Sequence, residues 1–172
     1  MAAGEAQAQG VGRLIRPAKA DDHDAIWALL KPVIRAGETL AVPRDMDRIS
    51  ALALWLSPDR ATRLLVEDGA VLGIFYVRAN QHGGGAHVAN AGFVTAANAT
   101  GRGVARAMCA ASFDLARGLG YRAMQFNFVL STNDRAVALW RAMGFAIVGR
   151  LPGVFDHPRH GLVDAFVMHR WL

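Results

Sequence analysis

The sequence predicts a mixed α/β domain with a mostly antiparallel central sheet that includes one parallel pair of strands. Two observations carry this. Thr62 to Glu67 and Val71 to Arg78 are strand-like runs separated by Asp68-Gly69, the strongest short signal for an antiparallel hairpin. Further on, an apolar strand run from His87 to Thr95, a helical stripe and a second strand run from Arg122 to Leu130 follow one another. A right-handed crossover of that kind makes its two strands parallel.

The remaining elements fall around this core in order. Arg13 to Pro17 alternates as a first strand ended by proline. The acids Asp21, Asp22 and Asp24 open a helix whose Ile26, Leu29, Leu30, Val33 and Ile34 recur at helical spacing, and Pro32 is expected to bend or end it. A loop at Gly37-Glu38-Thr39 leads to a second helix, expected from Arg44 to Leu56 and closed by Ser57-Pro58. Gln81 to Ala86 is a glycine-rich link. Val104, Met108, Ala111, Leu115 and Leu119 form the stripe of the crossover helix, with Gly118 and Gly120 placed to end it. A short helix from Asn133 to Met143, a strand from Phe145 to Gly149 and a last strand from Leu162 to Trp171 complete the domain.

Composition narrows the function classes. The 172 residues are 53% hydrophobic and 19% charged, as in a globular chain with one core over residues 13–172. Residues 1–12 lack both the basic start and the apolar stretch of a secretion signal and read as a disordered tail. No apolar run reaches the roughly 20 residues that cross a bilayer, so a cytoplasmic protein without membrane contact is expected. The arginines behind the net charge of +5 are scattered rather than gathered in a basic patch, which argues against nucleic acid as a partner. Cys109, the single cysteine, sits among small apolar residues, where a buried hydrophobe is expected rather than a nucleophile. Asp156-His157-Pro158-Arg159-His160 has metal-ligand residue types in a proline-containing loop with no regular element to fix them, so no metal site is expected. A loop closing over substrate or a partner subunit fits that segment better.

Between the first strand of the crossover and its helix lies Asn98-Ala99-Thr100-Gly101-Arg102-Gly103-Val104-Ala105-Arg106. Glycines at 101 and 103 permit a turn that aims several N–H groups at one point, and the helix start adds partial positive charge. That is an anion cradle. The spacing is not the dinucleotide fingerprint, and the Lys-Ser/Thr of a P-loop is missing. A tight turn without ligand is the alternative.

Here the chain resembles the GNAT superfamily of acetyl-CoA-dependent N-acetyltransferases from Arg13 to Leu172. Thr100-Gly101-Arg102-Gly103-Val104-Ala105 matches the family's Arg/Gln-x-x-Gly-x-Gly/Ala at both small positions, with Thr100 in place of the usual Arg or Gln. Asn133-Asp134-Arg135-Ala136 and Gly144-Phe145 match its Asn-x-x-Ala helix and the Gly-Phe that follows. The resemblance implies the GNAT fold, with the parallel strands splayed around acetyl-CoA, the loop wrapping its pyrophosphate, and Val94, Thr95 and Ala96 offering backbone groups to pantetheine and acetyl.

Direct acetyl transfer needs a neutral amine, donors for the developing oxyanion and a proton for the departing thiolate. No Asp or Glu lies in the strands at 87–95 and 122–130, and Trp140 stands where many GNAT enzymes place a tyrosine acid. Asparagine is depleted from strands, yet Asn90 and Asn127 each interrupt an apolar strand run, so both amides should be buried against polar partners. The alternative is a core amide at 127 and a helix cap at 133. Asn90-Ala91-Gly92-Phe93, Phe126-Asn127-Phe128 and Ser131-Thr132-Asn133 together resemble the branch of the superfamily typified by the fungal azetidine-2-carboxylate acetyltransferase. The resemblance implies that Asn90 and Phe128 contact substrate, that Asn127 polarises the amine or a bridging water, and that Asn133 reaches the coenzyme A sulfur. Glu38 and Thr39, in the loop that overhangs the acceptor pocket in this superfamily, are added as a candidate catalytic carboxylate and a substrate contact. The expected activity is acetylation of a small amino or imino acid, with a homodimer as the expected assembly. A peptide or protein amine as acceptor, or a non-catalytic acyl-CoA sensor, are the alternatives.

Overall fold

In the computed structural model, which describes residues 12–172, eleven elements follow in sequence. They are β1 (Leu14–Pro17), α1 (His23–Ala36), α2 (Arg48–Trp55), β2 (Ala61–Glu67), β3 (Ala70–Ala79), β4 (Val88–Thr95), α3 (Val104–Gly118), β5 (Ala123–Leu130), α4 (Asp134–Ala142), β6 (Ala146–His157) and β7 (Gly161–Trp171). The expected tail at residues 1–12 lies, Gly12 apart, outside the described residues.

The strands form one seven-stranded sheet in the order β1-β2-β3-β4-β5-β7-β6. Every neighbouring pair is antiparallel except β4 and β5. The β2–β3 turn is built as its Asp-Gly pair requires: Asp68 and Gly69 both have positive φ, 51° and 79°, the geometry that matches the twist of the flanking strands.

Alternation along the strands sends side chains to two cores. Phe75, Val77, Ala89, Ala91, Met124 and Phe126 pack with Met108, Phe113, Trp140 and Phe145 on the face covered by α3 and α4. Leu64, Ile74 and Val94 pack with Ile26, Leu29, Leu30 and Ile34 on the face covered by α1 and α2. Gly73 makes the first packing possible, because a β-carbon there would lie 2.6 Å from the Met108 sulfur.

Two expected boundaries change, and of the two outcomes expected at Pro32 the helix end does not occur. Helix α1 runs through Pro32 to Ala36, where Gly37 ends it in the left-handed conformation. Pro32 and Ala28, whose carbonyl loses its helical partner, are both exposed, so the missing bond lies on the solvent side of the helix. Helix α2 starts at Arg48 rather than Arg44, because the Asp47 carboxylate accepts the Ser50 N–H at 2.7 Å and fixes the start there. Strand β6 extends to His157 rather than Gly149, which puts Asp156 and His157 in a strand and leaves Pro158 to His160 as its turn. Register shifts between Ile147 and Gly149 and between Leu151 and Phe155 break the alternation that marks a strand in sequence.

The chain entering α1 is fixed by Asp22, which accepts from the Arg16 guanidinium at 2.7 Å twice and from the Lys19 N–H at 2.7 Å. The Arg16 hydrogen bond is the main reason that the Asp22 carboxyl is lowered from 3.8 to about 2. A depressed carboxylate stabilises the fold fully above its unfolded value and loses that contribution as the pH falls through its folded one. Denaturant titrations are expected to show stability on the order of 2 kcal/mol disappearing between about pH 4 and pH 2. The Asp22→Asn variant should lack this acid-dependent step.

Candidate active site

The site begins where the sheet comes apart. β4 and β5 share only two register pairs, Val88 with Ala123 and Ala89 with Met124, and then diverge. On its other side β4 stays paired with β3 up to Thr95. Ala96 N–H donates to Leu72 O at 2.9 Å and Asn80 N–H to Val88 O at 2.8 Å, at the two ends of that ladder. Antiparallel bonding alternates, so even-numbered β4 residues, Val94 among them, are bonded to β3. The N–H and C=O groups of Ala91, Phe93 and Thr95 therefore face the gap. Of the three residues expected to offer backbone groups there, Thr95 faces it, while the N–H groups of Val94 and Ala96 are committed to β3.

The loop after β4 ends at the start of α3. Gly101 and Gly103 have φ of 79° and 76°, where a side chain costs roughly 1–2 kcal/mol. A β-carbon on Gly101 would meet nothing within 4 Å, and one on Gly103 only Arg13 Nη1 at 3.9 Å. Asp47 and Asn133 close the starts of α2 and α4 with side-chain oxygens, but α3 starts on Gly103 with no side-chain cap. The first bond of its ladder is Ala107 N–H to Gly103 O, which leaves the N–H groups of Gly103, Val104, Ala105 and Arg106 without a partner among the described residues. Four free donors at a helix start suit an anion. Val104 itself is buried in the core, Thr100 and Ala105 line the adjoining cleft, and the Arg102 side chain turns away to pair with Glu67.

The gap opens a cleft of about 590 Å³ that passes from one face of the sheet to the other. On the α4 side it is lined by Thr100, Asn133, Arg135, Ala136 and Trp140, and on the α1 side by Thr39, Leu40 and Tyr76. Asn90, Phe93, Thr95, Asn127 and Phe128 lie between.

Asn90 is buried, 7% exposed, and its Nδ2 donates to Gln125 O at 2.9 Å just past the last β4–β5 pair. Asn127 is exposed rather than buried, because the β5–β7 register shifts between Phe126 and Val129 and the bulge turns it out into the cleft. It is bonded to Gln125 and Asn80. Asn133 caps α4, its Oδ1 accepting the Ala136 N–H at 3.2 Å, while its residue still lines the cleft. Glu38 does not line the cleft. Its carboxylate is held by the Arg159 guanidinium at 2.9 Å, which ties the α1–α2 loop to the β6–β7 turn. Thr39 and Phe128 both line the cleft, and Phe128 packs edge-on against Phe155 of β6 with ring centres 6.2 Å apart.

No Asp, Glu, His or Cys is among the lining residues. Cys109 is buried in the α3 core, and desolvation pushes its thiol up to about 12, which leaves no thiolate at neutral pH. Sequence reasoning missed Tyr76, whose hydroxyl oxygen would lie 2.9 Å from a β-carbon on Gly92. A glycine opposite an aromatic in adjacent strands was the available signal, but it requires the β3–β4 register to be known.

The chain as a whole has counterparts among known proteins. Residues 25–145 match the pattern of the Acetyltransferase (GNAT) family. The chain belongs to the GNAT family. This GNAT chain is 30% identical over 112 residues to N-acetyltransferase aca1 of Schizosaccharomyces pombe, covering 64% of its own length and 54% of that protein. It therefore spans about half the length of that curated relative. A GCN5-related N-acetyltransferase from Kribbella flavida is 43% identical, with a TM-score of 0.88 over 93% of this chain and 98% of that one. A GNAT superfamily phosphinothricin acetyltransferase from Sinorhizobium meliloti, solved in complex with AcCoA, shares the fold at 20% identity, with a TM-score of 0.81 over 93% of this chain and 88% of that one.

Gly103→Glu is expected to abolish coenzyme A binding in calorimetry, because it puts a carboxylate and a strained φ beside the free N–H groups. Unchanged affinity in a folded variant would refute the cradle. Cys109→Ala should leave turnover within about twofold, since a neutral buried thiol does not act as a nucleophile. Covalently acetylated Cys109 in mass spectra would reverse that conclusion.

Proposed function

We propose that this chain is an acetyl-CoA-dependent N-acetyltransferase that acts in the cytoplasm and passes acetyl directly to the amine of a small amino or imino acid. The observation that carries the reading is the through-sheet cleft, with uncapped helical N–H groups at one mouth, Asn90 and Asn127 at its waist and Asn133 on the α4 side. Family membership supports the chemistry. The likeness to N-acetyltransferases from fission yeast and Kribbella flavida supports the N-acetyl class.

The residues fit the cofactor. Free N–H groups from Gly103 to Arg106 suit a pyrophosphate, Arg135 adds a guanidinium at the same mouth, and the opposite mouth is left for the acceptor. Bound acetyl-CoA supplies an activated acyl thioester. The chain's own groups then orient and exclude water. The Phe93 and Thr95 N–H groups face the gap as donors for a developing oxyanion, and Phe93, Phe126 and Trp140, with ring centres 5.0–5.8 Å apart, wall the site against solvent. Asn90 is spent on Gln125 O and holds the waist open, while Asn127 turns its amide toward the acceptor. Asn133 uses Oδ1 for the α4 cap and keeps Nδ2 for the departing sulfur. Glu38, fastened to Arg159, stands at the rim, and we assign it no proton transfer. A homodimer is part of the proposal. Exposed Val148, Leu162 and Trp171 on β6 and β7 support it, and sedimentation would test it.

Incubation with acetyl-CoA and a panel of amino acids, imino acids and N-terminal peptides, read by thiol release and product mass, tests the function. Coenzyme A binding without any acetylated product would favour a sensor. Asn127→Ala and Asn133→Ala should each lower kcat/KM by about tenfold or more, the usual size for a positioned polar contact. Loss of the α4 cap should cost Asn133→Ala about 1 kcal/mol of stability in addition. Full turnover in both variants, measured with melting temperatures on the same preparations, would refute their placement in the site.

A further inference from the structure

Asn127 does not hold its own orientation. It sits on the β5 bulge, where the ladder to β7 is interrupted, so its side chain takes direction from its bonding partners. Those partners are two other amides. Gln125 Nε2 donates to Asn127 Oδ1 at 2.8 Å, and Asn127 Nδ2 donates to Asn80 Oδ1 at 2.7 Å. Neither partner lines the cleft. The backbone under each is held in the sheet: the Asn80 N–H is bonded to Val88 O at 2.8 Å, and Gln125 is paired with His169 in β7 while its backbone carbonyl accepts from Asn90.

We infer that Asn80 and Gln125 are positioning residues that fix which end of the Asn127 amide faces the acceptor. A free carboxamide rotates and presents oxygen or nitrogen with little preference. In this chain every bond is directed: Gln125 gives a proton to the Asn127 oxygen, and the Asn127 nitrogen gives one to the Asn80 oxygen. One lone pair and one N–H of Asn127 remain, each at a fixed angle, for an acceptor amine or a bridging water. Asn80 is 47 positions from Asn127 and reaches it only because β3 and β5 flank β4. This rests on the proposed reading of Asn127 as a site residue.

The chain of amides has a direction, and that direction makes the test sharp. Asn80→Asp and Gln125→Glu add the same single charge behind the same residue. Aspartate at 80 still accepts from Asn127 Nδ2, whereas glutamate at 125 has no proton to give to Asn127 Oδ1. With the best acceptor of the amine panel, Asn80→Ala and Gln125→Glu are expected to lose roughly as much kcat/KM as Asn127→Ala, about tenfold, with melting temperatures little changed. Asn80→Asp should retain most of it, and Asn80→Ala combined with Asn127→Ala should lose no more than either alone. A side-chain readout needs no acceptor: the Asn127 NH₂ cross-peak in ¹⁵N–¹H spectra, assigned by its absence from Asn127→Ala, should lose its downfield hydrogen-bonded proton shift in Asn80→Ala, keep or increase it in Asn80→Asp, where a carboxylate still accepts, and change in Gln125→Glu.

Full activity in Asn80→Ala while Asn127→Ala is impaired would overturn the inference and leave the site intact. Loss in Asn80→Asp with retention in Gln125→Glu would overturn the direction assigned to the chain. If Asn127→Ala is itself fully active, the site reading fails and the inference falls with it, a result separable from the first.

Discussion

The parting of β4 from β5 is the constraint on which the rest of the structure depends. Two register pairs hold the strands at one end, and beyond Ala89 the facing backbone groups have no strand to bond. Unpaired N–H and C=O groups in a protein interior are costly, so a gap of this kind persists only where water or a ligand completes it. The neighbours keep it open. β3 holds the outer edge of β4 up to Thr95, α3 fixes the crossover, and the bulge between Phe126 and Val129 carries β5 away toward β7. Asn90 bonds the first carbonyl past the fork, Gln125 O, so the separation begins at a satisfied point rather than a frayed one.

An open seam through a sheet joins two chemically different faces. On the α4 side Phe93 is stacked among Phe75, Phe126 and Trp140, and Phe126 lies 4.2 Å, ring centre to ring centre, from Phe145. That wall excludes water, and in such surroundings a backbone donor acts more strongly on a developing charge than it does in solution. On the α1 side the rim carries polar groups: Thr39 from a loop, Tyr76 beneath an Arg60 guanidinium 4.2 Å from its ring, and the Glu38–Arg159 pair bridging to the β6–β7 turn. An exposed pair of that kind contributes little energy but sets the spacing between two loops.

The regular parts of this arrangement were legible in the sequence because each has a local physical cause. Asp68-Gly69 requires two positive φ values, the glycines at 101 and 103 require the turn before α3, and the 3.6-residue stripe from Val104 onward can only be a helix packed on one side. Irregular parts were not legible. The second half of β6 was invisible because its two register shifts erase the period of two, and Pro152 and Gly153 within the second shift read as a loop. Burial of Asn127 was expected because it interrupts an apolar strand run, and the bulge that leaves it exposed makes no mark on residue types. Pro32 was expected to bend or end α1, and that it does not end the helix follows from its place on the exposed side, where the lost bond costs least. Asn80 could not have been singled out at all, since its relevance lies in a contact across two strands.

On the proposed reading, the most consequential feature of the site is that the side chains at its waist, Asn90 and Asn127, are amides, which carry no titratable proton. A carboxylate or histidine at the waist would tie the rate to its own protonation and would hold a cationic amine in its unreactive form by charge attraction. Asparagine amides orient an amine or a water without favouring the ammonium ion, so the acceptor's own basicity controls how much reactive amine is present. Such a site needs direction rather than charge, and direction in an amide comes only from its neighbours. That is why a bulged, solvent-reached asparagine is bracketed by two further amides, each anchored to the sheet. The fork creates the need for polar partners at the waist, and the directed amides meet it without adding a charge that would oppose the chemistry.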